Sequence, residues 1–197
     1  MRRPRGWGGR LMLWSMDTVH GALAQWGLGF LMIRPNNRIL DIGCGSGKTI
    51  ARMLVAAPQG CVCGLDPAPL SVGKSIERNL TAVHHGRCEI KQGDVSKIPW
   101  PDSSFDLITA FETIYFWPDL TTDLLEIRRA LKPGGTVMIC NGMMRAEDSA
   151  SPVPRFERML DMRIYSVHEL RLALGASGFF DPHVVTKGGW LCITAMA

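Results

Sequence analysis

Three glycines stand at every second position in one short stretch of this chain, Leu40-Asp41-Ile42-Gly43-Cys44-Gly45-Ser46-Gly47-Lys48-Thr49. The residues before it, Arg38-Ile39-Leu40, are typical of the end of a buried strand, and residues 50–57 after it favour a helix. Because glycine has no Cβ, a glycine-rich turn between a strand and a helix lets main-chain N–H groups and the helix N-terminus contact a ligand directly. The stretch therefore predicts a ligand site at the end of a first strand.

Two common glycine motifs come close to this stretch, and each fails at one position. A Walker A phosphate loop needs a glycine at position 42, where the chain has Ile42. The dinucleotide fingerprint needs its third glycine at position 48, where the chain has Lys48. The pattern that remains is Asp41-x-Gly43-x-Gly45-x-Gly47.

The composition is that of a globular chain, long enough for one domain with one core. It has 197 residues, of which 46% are hydrophobic and 20% are charged. The net charge is only +4, and Arg2, Arg3, Arg5 and Arg10 carry much of it. No clustered basic face follows in the rest of the sequence, which argues against a nucleic-acid partner.

The sequence also argues against a membrane protein and favours the cytoplasm. No stretch reaches the ~18–20 apolar residues that a membrane span needs. An apolar run before Ala22-Leu23-Ala24 resembles a secretory signal, but Asp17, Thr18 and His20 interrupt it. No two cysteines have the C-x-x-C spacing of a zinc or redox site, which predicts reduced thiols. The cysteines are Cys44, Cys61, Cys63, Cys88, Cys140 and Cys192.

Strand and helix patterns alternate along the chain from residue 38 onwards. Strands are predicted over residues 38–40, 61–65, 87–91, 105–111, 136–140, 183–186 and 190–195, with helices over 71–83, 120–131 and 166–178 between them. This alternation predicts an α/β fold with a mostly parallel sheet of seven strands and helices on both faces. The turn Lys187-Gly188-Gly189 makes the last two strands a hairpin, which predicts one antiparallel strand near the C-terminal edge.

The chain outside this alternation divides into three segments. Residues 1–9 are expected to form a flexible tail, and residues 10–197 a single domain. Within that domain, residues 10–33 are expected to form a helical cap over the glycine loop, interrupted by Gly27 and Gly29. Residues 141–165 carry few regular signals and are expected to form a substrate lid.

Acidic residues follow two of the predicted strands. Asp66, at the end of the second strand, could accept hydrogen bonds from the hydroxyls of a ribose; the alternative is a turn aspartate before Pro67. Asp94, after the third strand, could bind the amine of an adenine while Val95 offers its N–H to the ring; the alternative is an ordinary Gly-Asp turn.

A polar and aromatic stretch, Glu112-Thr113-Ile114-Tyr115-Phe116-Trp117, follows the fourth strand. Ligands of open α/β sheets bind at the carboxyl ends of the strands, so this stretch is expected to wall the site. The alternative is an aromatic cluster that caps the next helix. Trp14 and His20 would lie near the substrate if the helical cap covers the site, and His20 is otherwise a partly exposed helix residue.

Four stretches of the chain, taken in order, resemble the class I S-adenosylmethionine (SAM)-dependent methyltransferases over residues 38–195. They are Leu40 to Gly47, Gly64-Leu65-Asp66, Gly93-Asp94 with Ile98 to Asp106, and Leu131-Lys132-Pro133-Gly134-Gly135. The resemblance implies a single-domain Rossmann-like fold, with SAM as the cofactor and S-adenosylhomocysteine (SAH) as its product. It places the methionine moiety on the glycine loop, the ribose on Asp66, and the adenine between Pro67 and Val95. The cofactor contacts it implies are Asp41, Gly43, Cys44, Gly45, Asp66, Pro67, Asp94, Val95 and Phe111.

The acceptor is expected to be a small molecule. Amino-methyltransferases of DNA place Asn- or Asp-Pro-Pro-Tyr after the fourth strand, where this chain has Phe111-Glu112-Thr113-Ile114. Glu112 alone is well placed for a metal, so no metal site is predicted. Methyl transfer depends mainly on positioning in a dry pocket, with Glu112 and His20 as candidate bases. The candidate acceptor contacts are Trp14, Tyr115, Phe116, Trp117 and Tyr165.

Two other classes of protein could carry the same glycine loop and order of strands and helices. One is a non-catalytic SAM-binding regulator or partner subunit of the same fold. The other is a nicotinamide-dependent oxidoreductase, against which Lys48 argues because it replaces the third glycine of the fingerprint.

Overall fold

A seven-stranded sheet forms the centre of the molecule. The structure is a computed structural model and describes residues 21–146 and 162–197. The strands are β1 (Arg38–Ile42), β2 (Cys61–Asp66), β3 (Cys88–Gln92), β4 (Phe105–Phe111), β5 (Leu131–Asn141), β6 (Phe180–Lys187) and β7 (Trp190–Met196). They lie in the order β3-β2-β1-β4-β5-β7-β6, and β7 is antiparallel to both of its neighbours while the other pairs are parallel. The predicted mostly parallel sheet, with one antiparallel strand near the C-terminal edge, is confirmed.

Helices cover both faces of the sheet, as predicted. They are α1 (21–28), α2 (Lys48–Ala56), α3 (Pro69–Arg78), α4 (Leu80–His84), α5 (Leu120–Ala130) and α6 (Val167–Ala176). Apolar residues of α1, α2 and α4 belong to one core cluster, and those of α5 and α6 belong to the other. None of the helices in the described parts of the chain has both the length and the apolar character that crossing a membrane would need.

The chain order places a crevice beside β1. From β1 the chain proceeds to β2 and β3 on one side of it, and then crosses back to β4 on its other side. In open α/β sheets ligands bind at such a switch point, outside the carboxyl ends of the strands. The glycine loop follows β1 directly, so it lies at this crevice.

The predicted helix over residues 71–83 is two helices, and its apolar stripe is only half-buried, with Val83 packed against a core cluster. The apolar positions Val72, Ile76, Leu80 and Val83 indicated the inward face, yet Leu80 is 47% exposed. The buried residues of this region are instead Ser71, Ser75 and Asn79, which repeat at every fourth position. Small polar side chains lie inward here because this face packs against the glycine loop rather than against an apolar core.

Strand β5 begins five residues earlier than the predicted strand at position 136 and includes Pro133-Gly134-Gly135. These residues were expected only to end the preceding helix. The segment is extended because it pairs with the C-terminus: Gly134 N–H donates to Ala197 O at 3.0 Å, and Ala197 N–H donates to Gly135 O at 2.9 Å.

Helix α1 is the described part of the predicted cap. The prediction that Gly27 interrupts the helix was wrong, because α1 continues through it to residue 28. A Cβ on Gly27 would lie 2.7 Å from Cys140 Sγ and 3.1 Å from Phe111 Cε1, so the missing side chain lets α1 pack closely on the ends of β4 and β5. The predicted tail, the remainder of the cap with Trp14 and His20, and positions 147–161 of the predicted lid lie outside the described residues.

Candidate functional site

The three alternating glycines each have a different neighbour. All three have positive φ angles: 69° at Gly43, 54° at Gly45 and 76° at Gly47. A Cβ on Gly43 would lie 2.5 Å from Thr113 Oγ1, and one on Gly47 would lie 2.9 Å from Ser75 Cα. A Cβ on Gly45 would meet nothing closer than the Gly43 carbonyl oxygen at 4.0 Å. Gly45 is therefore the position where the loop presents bare main chain to open space.

The N–H groups of the loop bond to the end of β2. Gly43 and Cys44 both donate to Leu65 O, at 2.7 and 3.2 Å, and Gly45 donates to Asp66 Oδ2 at 2.9 Å. These three N–H groups, which the sequence predicts to be available to a ligand, are thus bonded to the protein itself in this structure. Their contact with a ligand stays a prediction.

Asp66 lies at the loop, as its position in the sequence predicted. Its carboxylate accepts the N–H groups of Gly45 and Ala68, each at 2.9 Å, and a hydrogen bond from Ser71. Burial raises the pKa of Asp66, and these hydrogen bonds oppose that rise. Asp66 therefore also has the turn role that the sequence offered as the alternative, because its Oδ1 accepts the N–H of Ala68. A carboxylate has about four lone-pair sites, so such a group can still accept a ligand hydroxyl.

Asp41 lies inside the sheet beneath the loop and is only 2% exposed. The hydroxyl of Thr109 donates to its Oδ1 at 2.7 Å. Burial raises the pKa of Asp41 to about 7, the Thr109 bond opposes this, and the charge of Asp66 adds to it. Asp41 is thus buried beneath the loop, bonded to Thr109 and coupled to Asp66 through its charge.

The other residues predicted to contact the cofactor differ in their exposure to solvent. Asp94 is exposed, and its Oδ1 accepts the N–H of Ser96 at 3.0 Å, which is the ordinary turn that the sequence offered as the alternative. Val95 and Cys44 are buried, and the Cys44 thiol lies 3.8 Å from Ser75 Oγ, on the α3 side of the loop. Pro67 and Phe111 are partly exposed.

Glu112 connects the ends of β4 and β5. It has a φ of +58°, which is uncommon for a residue with a side chain. Its carboxylate accepts the N–H of Gly142 and lies 3.3 Å from the hydroxyl of Tyr115. The Tyr115 hydroxyl in turn accepts the N–H of Met143 at 2.9 Å. Glu112 thus has a structural role whether or not it acts on a substrate.

The aromatic residues predicted to wall the site belong mostly to the core. Tyr115, Trp117 and Tyr165 are buried in the cluster that also contains α5 and α6, which agrees with the aromatic-cluster alternative. Burial raises the pKa of Tyr115 above its ordinary range, and the charge of Glu112 adds to that effect. Phe116, at 37% exposed, is the member of the predicted wall that offers its ring to solvent.

Several residues that shape the site carried no recognised motif. Thr113 packs on Gly43, and the Thr109 hydroxyl donates to Asp41. Ser75 of α3 and Asn79, the residue that follows α3, pack against Gly47. The repeat Ser71-x-x-x-Ser75-x-x-x-Asn79 could have been noticed in the sequence as a polar helix face. Among residues 21–146 and 162–197, no three His, Cys, Asp or Glu side chains are grouped so that they could hold a metal ion.

Comparisons with known proteins agree with this geometry. A family model described as "Methyltransferase domain" matches residues 40–139. The 27-O-demethylrifamycin SV methyltransferase of Amycolatopsis mediterranei is 32% identical over 111 residues, covering 56% of this chain and 40% of that protein. The 2-methyl-6-phytyl-1,4-hydroquinone methyltransferase of Synechocystis is 30% identical over 181 residues, covering 87% of this chain and 55% of that protein. The chain thus spans about half the length of these relatives or less.

The fold is also found among solved structures. A SAM-dependent methyltransferase from Aquifex aeolicus superimposes with a TM-score of 0.77 at 22% sequence identity, covering 94% of this chain and 96% of that chain. The strand order, the glycine loop and the family match lead to one conclusion: the chain belongs to the class I SAM-dependent methyltransferases.

Proposed function

We propose that this chain catalyses the transfer of a methyl group from SAM to a small-molecule acceptor. The observation that carries the proposal is the pairing of Gly45 with Asp66 at the switch point of the sheet. Gly45 faces open space, and its N–H holds the Asp66 carboxylate beside the same opening. A nucleoside with a flexible tail fits this pair, because the tail can lie on bare main chain while the ribose hydroxyls bond to the acid.

The remaining cofactor contacts follow from this placement. In the proposal the methionine moiety lies on the surface of Gly45, and the adenine lies towards the end of β3, where Asp94 and Val95 follow the strand. Pro67, which follows Asp66 and is partly exposed, would cover one edge of the adenine. The proposed roles of these residues are predictions from position.

The chemistry is an in-line displacement at the methyl carbon. The acceptor nucleophile forms a bond to the methyl group as the carbon–sulfur bond breaks, and the electron pair of that bond stays on sulfur, which becomes neutral in SAH. Positioning the two reactants in a site without water supplies most of the acceleration. Where the nucleophile carries a proton, Glu112 is the proposed base, and the exposed ring of Phe116 would favour a cationic or aromatic group nearby.

Two relatives are named for the acceptors that they methylate, a demethylrifamycin and a substituted hydroquinone. We propose an acceptor of that general kind, a small molecule with a ring hydroxyl or an activated ring carbon. Neither a nucleic acid nor a membrane is part of the proposal, and a cytoplasmic location stays a prediction.

Calorimetry with SAH, SAM and NAD tests the cofactor, and SAH release in the presence of a 1,4-hydroquinone or 27-O-demethylrifamycin SV tests the reaction. We expect SAH and SAM to bind with one site per chain, NAD not to bind, and SAH to form with an acceptor. Binding of NAD without binding of SAH would overturn the proposal in favour of an oxidoreductase.

A substitution at Glu112 separates catalysis from binding. Glu112→Gln keeps a side-chain oxygen that can accept the Gly142 N–H, so the ends of β4 and β5 should stay joined. If Glu112 is the base, turnover should fall by ~10²–10⁴-fold while the SAH dissociation constant is unchanged. Unchanged turnover would leave Glu112 with its structural role only.

The second candidate is a SAM-binding partner subunit that does not catalyse. It is favoured by one observation: Tyr115, Trp117 and Tyr165 are buried in the core instead of lining an open wall. A similar fold occurs in a putative methyltransferase in complex with the Haloferax volcanii Trm112 activator, with a TM-score of 0.79 and 22% identity. Stoichiometric SAH binding with no turnover of SAM, under conditions where a related enzyme turns over, would favour this candidate.

A further inference from the structure

We propose that helix α3 holds the cofactor loop in its binding shape, and that Arg78 and Asn79 are positioning residues for SAM. The inference rests on the proposed cofactor site, and it assigns a role to a helix face that no motif indicated. Residues of α3 and its C-cap reach the carbonyl groups of two successive loop residues, Ser46 and Gly47.

Asn79, the residue at the end of α3, binds the loop most directly. It is 5% exposed, and its Nδ2 donates to Gly47 O at 3.1 Å and to Ser75 O at 2.9 Å. A Cβ on Gly47 would lie 2.5 Å from the same nitrogen. The amide therefore occupies the space that a side chain at position 47 would need, and it fixes the direction of the Gly47 carbonyl.

Arg78 binds the neighbouring loop residue from the surface. Its Nε donates to Ser46 O at 2.9 Å, and its side chain lies in the exposed part of α3. Arg78 is exposed, whereas Asn79 is buried, so a substitution at Arg78 should disturb the core less than one at Asn79. Arg78 is therefore the better of the two residues for separating loop geometry from stability.

The same helix also binds the acid on the other side of the loop. Ser71 donates a hydrogen bond to Asp66, and Asp66 accepts the N–H of Gly45. Positions 45, 46 and 47 are thus held by Asp66, Arg78 and Asn79 in turn. α3 contributes two of these contacts and supports the third.

The physical reason for such a support lies in the glycines. Gly45 and Gly47 can adopt many backbone conformations, so the loop has little preference of its own for the shape that presents Gly45 outward. A site whose binding-competent shape is populated only part of the time binds its ligand more weakly by that fraction. Contacts from α3 raise the population of the competent shape before the ligand arrives.

Calorimetric titration with SAH tests the inference on wild type, Arg78→Ala, Arg78→Lys and the control Glu77→Ala, an exposed neighbour on α3. We expect Arg78→Ala to raise the SAH dissociation constant by about 3- to 10-fold, because the loss of one hydrogen bond typically has an effect of this size. Arg78→Lys should recover part of the affinity because its ammonium can also donate to a carbonyl. Glu77→Ala should bind as wild type, and the melting temperatures should agree within about 2 °C.

Asn79→Asp provides a second and stronger test. It keeps the size of the side chain but replaces the donor with a carboxylate facing two carbonyl oxygens, so SAH affinity should fall further than in Arg78→Ala. The titration is made at a temperature at which circular dichroism shows the variant to be folded.

The outcomes separate this inference from the proposed function. If wild type binds SAH and both Arg78→Ala and Asn79→Asp bind it equally well, the positioning role is overturned and the cofactor site stands. A fall in affinity that follows the unfolded fraction alone overturns it as well, because α3 would then be only structural. Failure of the wild type to bind SAH overturns both.

Discussion

Replacing Asp41 with asparagine should remove a pH-dependent loss of stability that the buried carboxyl imposes. Burial raises the pKa of Asp41 from its ordinary value of 3.8 to about 7 in the folded chain, against the effect of the Thr109 hydrogen bond. In the unfolded chain the same carboxyl is in water and titrates near its ordinary value. Asparagine keeps an oxygen that accepts the Thr109 hydroxyl, but it cannot ionise.

The direction of the effect follows from proton binding. Between pH 3.8 and about 7, the folded chain keeps a proton on Asp41 that the unfolded chain has released, so stability falls as the pH rises through this window. Below the window both states are protonated and there is no penalty; above it both are ionised and the penalty is complete. At about 1.4 kcal/mol per pH unit the full penalty is about 4 kcal/mol. Water that reaches the ionised carboxylate reduces this value, so it is an upper bound.

Urea unfolding followed by circular dichroism at pH 4.5, 6 and 8 measures the effect. The free energy of unfolding of Asp41→Asn minus that of wild type should increase by about 2–3 kcal/mol from the lowest pH to the highest, because the titration between pH 3.8 and 4.5 lies below the measured range. Glu77→Gln, at an exposed carboxylate on α3, controls for the loss of one negative charge. A difference between Asp41→Asn and wild type that is the same at all three pH values would refute the reasoning.

Three further predictions concern the loop and its frame. Gly45→Ala places a methyl group in open space at a φ of 54° and should lower the free energy of unfolding, measured with urea, by about 1 kcal/mol. Gly47→Ala should lower it further, because the new Cβ would lie 2.9 Å from Ser75 Cα of α3. Equal decreases for the two variants would contradict this packing argument. Tyr115→Phe leaves a main-chain N–H without its hydroxyl partner and should lower the free energy of unfolding by about 1–3 kcal/mol. Ser166→Ala breaks the capping box of α6 and should cost about 1 kcal/mol, measured in the same way.

The parts of the fold that the sequence predicted correctly are those set by local pattern. The strand before the glycine loop, the hairpin at Gly188 and the capping box at Ser166 each depend on residues within a few positions of one another. The position of Asp66 at the loop was also predictable, because parallel neighbouring strands bring their carboxyl ends together.

The parts that were missed depend on contacts between distant residues. Strand β5 extends back to Leu131 because Leu131 pairs with Phe105 of β4 and residues 134 and 135 bond to Ala197, and no local propensity indicates these contacts. The most buried face of α3 is polar because it packs against the glycine loop, and the apolar period marked only the half-buried face beside it. Glu112 accepts the N–H of Gly142, thirty positions further along the chain, and its local sequence suggested a place at the site but not this contact.

The internal bonding of the loop bears on the charge of the ligand in the proposed site. The N–H groups of positions 43–45, which would attract an anion such as a phosphate, are already bonded to the end of β2. Two carboxyl groups, Asp41 and Asp66, lie beside or beneath the same turn, and each has a raised pKa because of burial. Such groups favour a positive charge nearby, since a cation stabilises their ionised form. In the proposed site, SAM brings a sulfonium cation that an ionised carboxylate stabilises, whereas a dinucleotide brings phosphates that would find the N–H groups of positions 43–45 already bonded.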